Sequence, residues 1–286
     1  MLKIDKLFKR LDELQYRNRF IGFVVAVIRH YSNNQDGNRA ALLTYYSFMS
    51  LFPLLLWLVF MANWLNQFYP GTSAVLVHGA TQYFPVLGSQ LSGIAQSAHR
   101  ALPGVIISGL VALYGARGMA SVFQSAVNDI WEIPKSDRRK FPANWLTSMG
   151  TVIFGGSGFM LSAIISSWAL SREQGGWYSL MVGILNIATF AAVFMLILRL
   201  SLPTKTRLNK VVVSALSMAV AMSLLQLAGG FIVTHDLKTY TNSYTVLFAV
   251  TLGLLAWIYL QAQILLYAIE ASIVHSRRIW PIKLIG

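Results

Sequence analysis

Arg117 is the one basic residue in the middle of a long hydrophobic run, Leu102 to Val127. A guanidinium at membrane depth costs several kcal/mol unless it meets an anion, a carbonyl or water, so it marks either a functional site or a structural clamp. At helical spacing Arg117, Ser121, Gln124 and Asn128 fall on one face, with Glu132 one turn further and Asp129 to the side. Such a stripe offers a fork of N–H donors for a phosphate or carboxylate, then polar groups that could hydrate a path. A second stripe lies near the C-terminus, where Tyr259, Gln263, Tyr267 and Glu270 repeat at helical spacing. Glu270 is the one acid clearly inside an apolar segment, though near its end. Arg117 lies about ten residues, roughly 15 Å, from the corresponding end of its own helix. A direct Arg117–Glu270 bond therefore needs tilt, and Gln263 or a backbone carbonyl is a nearer partner.

Other polar and small residues fall inside apolar runs. Tyr46, Ser50, Pro53 and Trp57 share a face, and Pro53 removes the amide that would bond the Met49 carbonyl, so a kink is expected there. The freed carbonyl either receives Arg117 or is satisfied by a neighbouring serine. Gly155, Gly156, Ser157, Gly158 and Ser162 provide a surface for close helix packing, with a gating hinge as the alternative reading.

Several chemistries find no residues to carry them. Cysteine is absent, which removes disulfides, thiolate metal sites and a cysteine nucleophile. His30, His78, His99, His235 and His275 are scattered, and no spacing of histidines or paired carboxylates suits a metal. No glycine-rich phosphate loop precedes a lysine. We therefore expect no enzyme activity, no metal and no cofactor.

The elements that hold these residues follow from composition. The chain of 286 residues is 56% hydrophobic and only 12% charged, far from the quarter or so of a soluble domain. Six segments are long and apolar enough to span a bilayer: 40–62, 102–127, 143–169, 176–202, 209–234 and 243–274. Basic residues alternate between the connections. The N-terminal segment holds Lys3, Lys6, Lys9, Arg10, Arg17, Arg19, Arg29 and Arg39. Lys135 to Lys140, Arg199 to Lys210 and the tail Arg277, Arg278 and Lys283 continue the series. The other three connections hold only Arg100, Arg172 and Lys238. Positive charge stays inside, so an even number of spans with both termini cytoplasmic is expected. The net charge of +13 is then a signal of topology, and of attraction to anionic lipid, rather than of nucleic-acid binding.

The fold class expected is all-α and polytopic. It comprises a cytoplasmic basic segment 1–39, a six-helix membrane domain 40–274 and a cytoplasmic tail 275–286. Residues 1–39 are too charged for a cleavable signal, and Phe20 to Ile28 is too short to span. Residues 3–15 fit a helix lying in the interface or packed on the protein's own loops, with Ile4, Leu7, Phe8, Leu11 and Leu14 on one face. The first outer connection, 63–101, is too apolar for a solvated loop. It is expected to lie on the outer interface, or re-enter the bundle, where it could cap a site or dock an envelope partner.

Three stretches resemble one family. They are Ala40-Ala41-Leu42-Leu43-Thr44-Tyr45-Tyr46-Ser47-Phe48-Met49-Ser50-Leu51-Phe52-Pro53-Leu54, Gly115-Ala116-Arg117-Gly118-Met119 with Ala126-Val127-Asn128-Asp129-Ile130-Trp131, and Trp257-Ile258-Tyr259 through Gln263 to Glu270. Their order and spacing are similar to those of the YihY/BrkB-like inner-membrane proteins, with Ala268 and Ile269 where that family has Gly-Ala. The resemblance implies a six-helix protein of the bacterial inner membrane. The family's old ribonuclease BN label finds no support in the residues here. Its association with envelope lipids suggests a lipid translocator, with Arg117 as ligand of an anionic head group. Gln124, Asn128 and Gln263 would hydrate the path beside Ser121, Glu270, Tyr46 and Ser50, and Pro53 and Gly158 would shape the bundle. An ion or small-solute transporter and a scaffold for an envelope complex remain the alternatives. Oligomeric state is open.

Overall fold

The computed structural model describes residues 19–66, 102–170, 176–203, 206–236 and 243–277. The interfacial helix expected at 3–15, most of the outer connection 63–101 and the tail beyond residue 277 lie outside these residues. Seven α-helices and no strand are found among them: α1 Arg19–Asn33, α2 Asp36–Asn66, α3 Leu102–Ile130, α4 Ala143–Leu170, α5 Gly176–Ser201, α6 Leu208–Asp236 and α7 Ser243–Arg277. The last six coincide with the six expected apolar segments, and α2 runs unbroken through Pro53. Among the described residues, four stretches are by length and composition apolar enough to cross a membrane: Ile106–Ile130, Leu180–Ser201, Leu208–Gln226 and Thr251–Arg277.

Neighbours in sequence are neighbours in space. Each helix from α2 to α7 packs on the next, and α7 returns to pack on α2, closing a ring. Among the described residues the main core cluster sits at one end of it. Ala40 and Leu43 of α2, Phe123 to Ile130 of α3, Phe190 to Leu198 of α5, Val211 to Met222 of α6 and Ala262 to Ile273 of α7 form one buried cluster. All come from the helix halves that adjoin the basic connections. Among the described residues, many large apolar side chains outside this cluster face outward, such as Ile106, Leu110 and Tyr114 of α3 and Ile184 of α5, as a surface in contact with lipid requires.

Because lipid is as apolar as leucine, close backbone approach and interhelical hydrogen bonds bind such a bundle. Close approach is seen between α2 and α3. A methyl group on Gly115 would lie 2.6 Å from Ser50 Cβ, and one on Gly109 3.0 Å from Trp57 Cδ1. Gly118 likewise has room for nothing between its backbone and the Tyr46 ring. Gly158 fits against Val193 of α5 in the same way, and one turn along that contact Ser162 donates to Asn186 Oδ1 at 2.8 Å. Between α6 and α7, Ser214 and Ser272 share a 2.5 Å hydroxyl bond, and Ser217 donates to the Ala268 carbonyl at 2.9 Å.

Basic residues close the helix ends. Arg277 reaches the Trp131 carbonyl at 3.0 Å, and Arg138 the Ile133 carbonyl at 3.0 Å. Arg139 points at the carbonyls of Arg199 and Leu202 at the end of α5. These residues therefore neutralise the negative ends of helix dipoles, beyond any part they play in orientation. The end of α3 turns through Glu132 in the left-handed region (φ 53°), with Ile133 N–H bonded to the Asn128 carbonyl and Glu132 N–H to that of Asp129. This is a Schellman turn with glutamate in the place usually taken by glycine.

Candidate functional site

The polar stripe of α3 divides into two environments. Gln124 and Asn128 are buried, whereas Arg117 and Ser121 are exposed. The residues do share a helix face, but what covers that face changes along the helix. Near the basic end α4 covers it: Gln124 Nε2 donates to Thr151 Oγ1 at 3.0 Å, and Ser148 donates to Gln124 Oε1 at 3.1 Å. Asn128 Nδ2 bonds back to the Gln124 carbonyl at 2.8 Å. One to two turns toward the other end the face is uncovered, and Ile153 and Phe154 of α4 are exposed as well. Arg117 has no hydrogen-bond or ion-pair partner among the described residues. Tyr46 and Ser50 pack on its neighbours Gly118 and Gly115. The Ser50 hydroxyl donates instead to the Ser47 carbonyl at 3.0 Å.

The α7 stripe does not face the α3 stripe. Tyr267 stacks on Tyr31 of α1, ring centroids 3.8 Å apart and nearly parallel, and Gln263 lies beside the Tyr31 hydroxyl. Glu270 is fully buried and meets the α1–α2 turn: Asn34 Nδ2 donates to its Oε1 at 2.6 Å, and His30 Nδ1 lies 3.4 Å from its Oε2. One polar seam between α3 and α7 is therefore not what the geometry shows. There are two sites, an exposed one at Arg117 and a buried one at Glu270.

The buried site is built by a segment that hydropathy alone leaves outside the membrane domain. Helix α1 is 15 residues long, about 22 Å, too short to span. It lays Ala26 and Val27 against Val274 of α7 and keeps Phe20, Val24 and Ile28 exposed on the opposite side. An apolar helix face left uncovered in this way suits the membrane interface. The chain then reverses at Asn34 and Gln35, the latter left-handed at φ 54°, and enters α2 at Asp36. Asp36 is a favourable first-turn acid for the helix dipole, and it is fully buried.

Asp36 starts a chain of charges. Its carboxyl lies against that of Glu270. Arg39 forks between Asp36 Oδ1 at 2.8 Å and Asp129 Oδ2 at 2.7 Å. Arg138 takes the other oxygen of Asp129, and further out Arg277 pairs with Glu132. Burial raises the Asp36 carboxyl above its ordinary range, opposed by the contact with Glu270 and by Arg39. Burial also pushes the Tyr31 phenol up, with Tyr267 adding to the effect. Among the described residues no group of three His, Asp or Glu is arranged to hold a metal ion. Sequence reasoning singles out Glu270 but not Asp36, Arg39 or Asn34. The signal is present in Asn33-Asn34-Gln35-Asp36-Gly37, a turn followed by a helix-starting acid just ahead of the first apolar run.

A ring of long apolar helices with lipid-facing side chains on its outside and buried polar groups at one end defines a multi-pass α-helical membrane protein. The chain belongs to the virulence factor BrkB family, whose model matches residues 27–281 and so takes in the α1–α2 turn, the Arg117 segment and Glu270 alike. It is similar to a UPF0761 membrane protein of Psychrobacter sp. (strain PRwf-1), with 22% identity over 283 residues, 94% of this chain and 51% of that protein. The chain thus spans about half the length of the curated relative it matches. No solved structure matches it.

Proposed function

We propose that this protein handles envelope phospholipids in a bacterial inner membrane, and that Arg117 is the ligand of the anionic head group. The single observation that carries the reading is the position of Arg117. It sits midway along α3, 15 residues from Leu102 and 13 from Ile130, exposed and unpaired among the described residues. A guanidinium on a lipid-facing surface, roughly 20 Å along the helix from either end, draws an anion to itself or thins the bilayer around it. A phosphate answers that need with a bidentate, charge-assisted pair. Ser121 lies one turn toward the basic end, and exposed Tyr114 and Met119 flank Arg117, so acyl tails would stay in the bilayer while the head moves along α3.

The reading rests on a six-span topology with both termini cytoplasmic, argued from the charge alternation. It leaves the outer connection 63–101 to receive an envelope partner. Ion or small-solute transport is the second reading, favoured by the buried Asp36–Glu270–Arg39 cluster. Liposomes containing the protein and a head-labelled phospholipid separate the two. Lipid movement between leaflets should fall at least tenfold in Arg117→Ala and be partly kept in Arg117→Lys. Undiminished movement in Arg117→Ala overturns the head-group role, and conductance across a planar bilayer without lipid movement favours the second reading.

A further inference from the structure

We propose that Asp36 and Glu270 form a proton-binding site, holding one proton between them, and that this proton clasps the α1–α2 turn to α7. The charges around the pair do not balance. The connected cluster contains three carboxyls, Asp36, Asp129 and Glu270, and two guanidinia, Arg39 and Arg138. Asp129 receives an arginine on each oxygen, and the second arm of Arg39 goes to Asp36 Oδ1. One carboxyl's charge is left over, and it falls on the two residues of the cluster that are completely buried.

Asp36 Oδ2 and Glu270 Oε2 are buried and have no hydrogen-bond donor, although the two carboxyls lie within reach of each other. Two ionised acceptors facing one another without a donor are unfavourable on both counts, desolvation and repulsion. A single shared proton removes the surplus charge and supplies the missing donor, as in other close carboxyl pairs. The groups that face the pair are His30 and Tyr31 from α1, Asn34 from the turn, Arg39 from α2, Asp129 from α3, and Tyr259 and Tyr267 from α7. Asn34 already donates to Glu270 Oε1, and Arg39 to Asp36 Oδ1. His30, whose Nδ1 is also buried without a hydrogen-bond partner, is the one rival seat for the proton. The site is independent of the lipid reading, since it shares no residue with Arg117.

A carboxyl that binds its proton more tightly when docked than when free stabilises docking at low pH and loses that contribution as pH rises. The clasp should therefore open on the alkaline side. The test uses the full-length protein in lipid nanodiscs. Infrared spectra at neutral pH should show the carbonyl stretch of a protonated, buried carboxyl, shifted in deuterium oxide and lost on alkaline titration. D36N and E270Q should each remove it, and H30Q should keep it. Spin labels at the exposed Ile28 and Leu260 should move apart over the same titration in the wild type. In E270Q they should stay close, because the amide donates permanently to Asp36. Should the variants fail to fold, the wild-type band and the paired distance change still decide. Absence of the band at neutral pH, its survival in both carboxyl variants, its loss in H30Q, or a carboxylate stretch that shifts with added sodium or calcium would overturn the proposal.

Discussion

Replacing Gly115 with alanine tests whether the α2–α3 contact is set by backbone approach. The added methyl would lie 2.6 Å from Ser50 Cβ, 3.1 Å from Ser50 Cα and 3.2 Å from Ser50 N, where ordinary contact begins near 3.4 Å. Two of the three opposing atoms are backbone, so no side-chain rotation relieves the clash. The helices must separate by several tenths of an ångström, loosening Gly109 against Trp57 and Gly118 against Tyr46 on either side. Overpacking of this kind costs about 1–3 kcal/mol. Gly156→Ala is the control, because nothing lies within 4 Å of its added methyl. Helix propensity alone makes that change neutral or stabilising by up to about 1 kcal/mol. Unfolding in mixed micelles against the mole fraction of SDS, followed by circular dichroism, measures both. Gly115→Ala should lower the midpoint, and Gly156→Ala should not. Ser50→Gly placed in the Gly115→Ala background should recover part of the loss and no more, since it removes Cβ but leaves Cα and N. Equal midpoints for the two alanine variants would refute the reasoning, as would full recovery by Ser50→Gly.

Two further comparisons follow from the polar contacts, read by the same unfolding measurement. Arg39→Gln strips a cation from two carboxylates, one of them fully buried, and should destabilise by about 3 kcal/mol. Arg277→Gln leaves Glu132 without its ion pair, at a side chain that is 57% exposed, and loosens the contact with the Trp131 carbonyl, and should cost about 1 kcal/mol or less. A double-mutant cycle between Gln124→Leu and Thr151→Val should return a coupling of about 0.6–1.7 kcal/mol, the range of interhelical hydrogen bonds in membranes, and zero coupling would mean that α4 does not cover the stripe there.

How far the sequence could be read depends on what each signal reports. The six apolar runs became α2 to α7 because length and hydropathy alone define a helix in lipid, where every backbone group must bond within its own segment. The face shared by Tyr46, Ser50 and Trp57 was also legible, and its partners are the glycines on either side of Arg117. Gly158 meets Val193 for the same reason: a small residue has few uses in such a helix other than close approach. Spacing could not say which polar residues meet. In a soluble helix the polar face points to water, but here lipid and neighbouring helix are both apolar, so a stripe gives no direction. The α3 stripe is covered at Gln124 and open at Arg117 because α4 covers only one end of it. The α7 stripe found α1 instead of α3, because a segment too short to span still had an apolar face to bury and an acid-bearing turn to set beside Glu270. That turn gathers three of the chain's ten acidic residues at one end of the bundle, among arginines that a count of loop charges assigns to orientation alone. A count weighs every arginine equally, while folding does not: Arg39 and Arg138 are held against carboxylates inside the protein, and Arg117 is left exposed, without an ion-pair partner among the described residues.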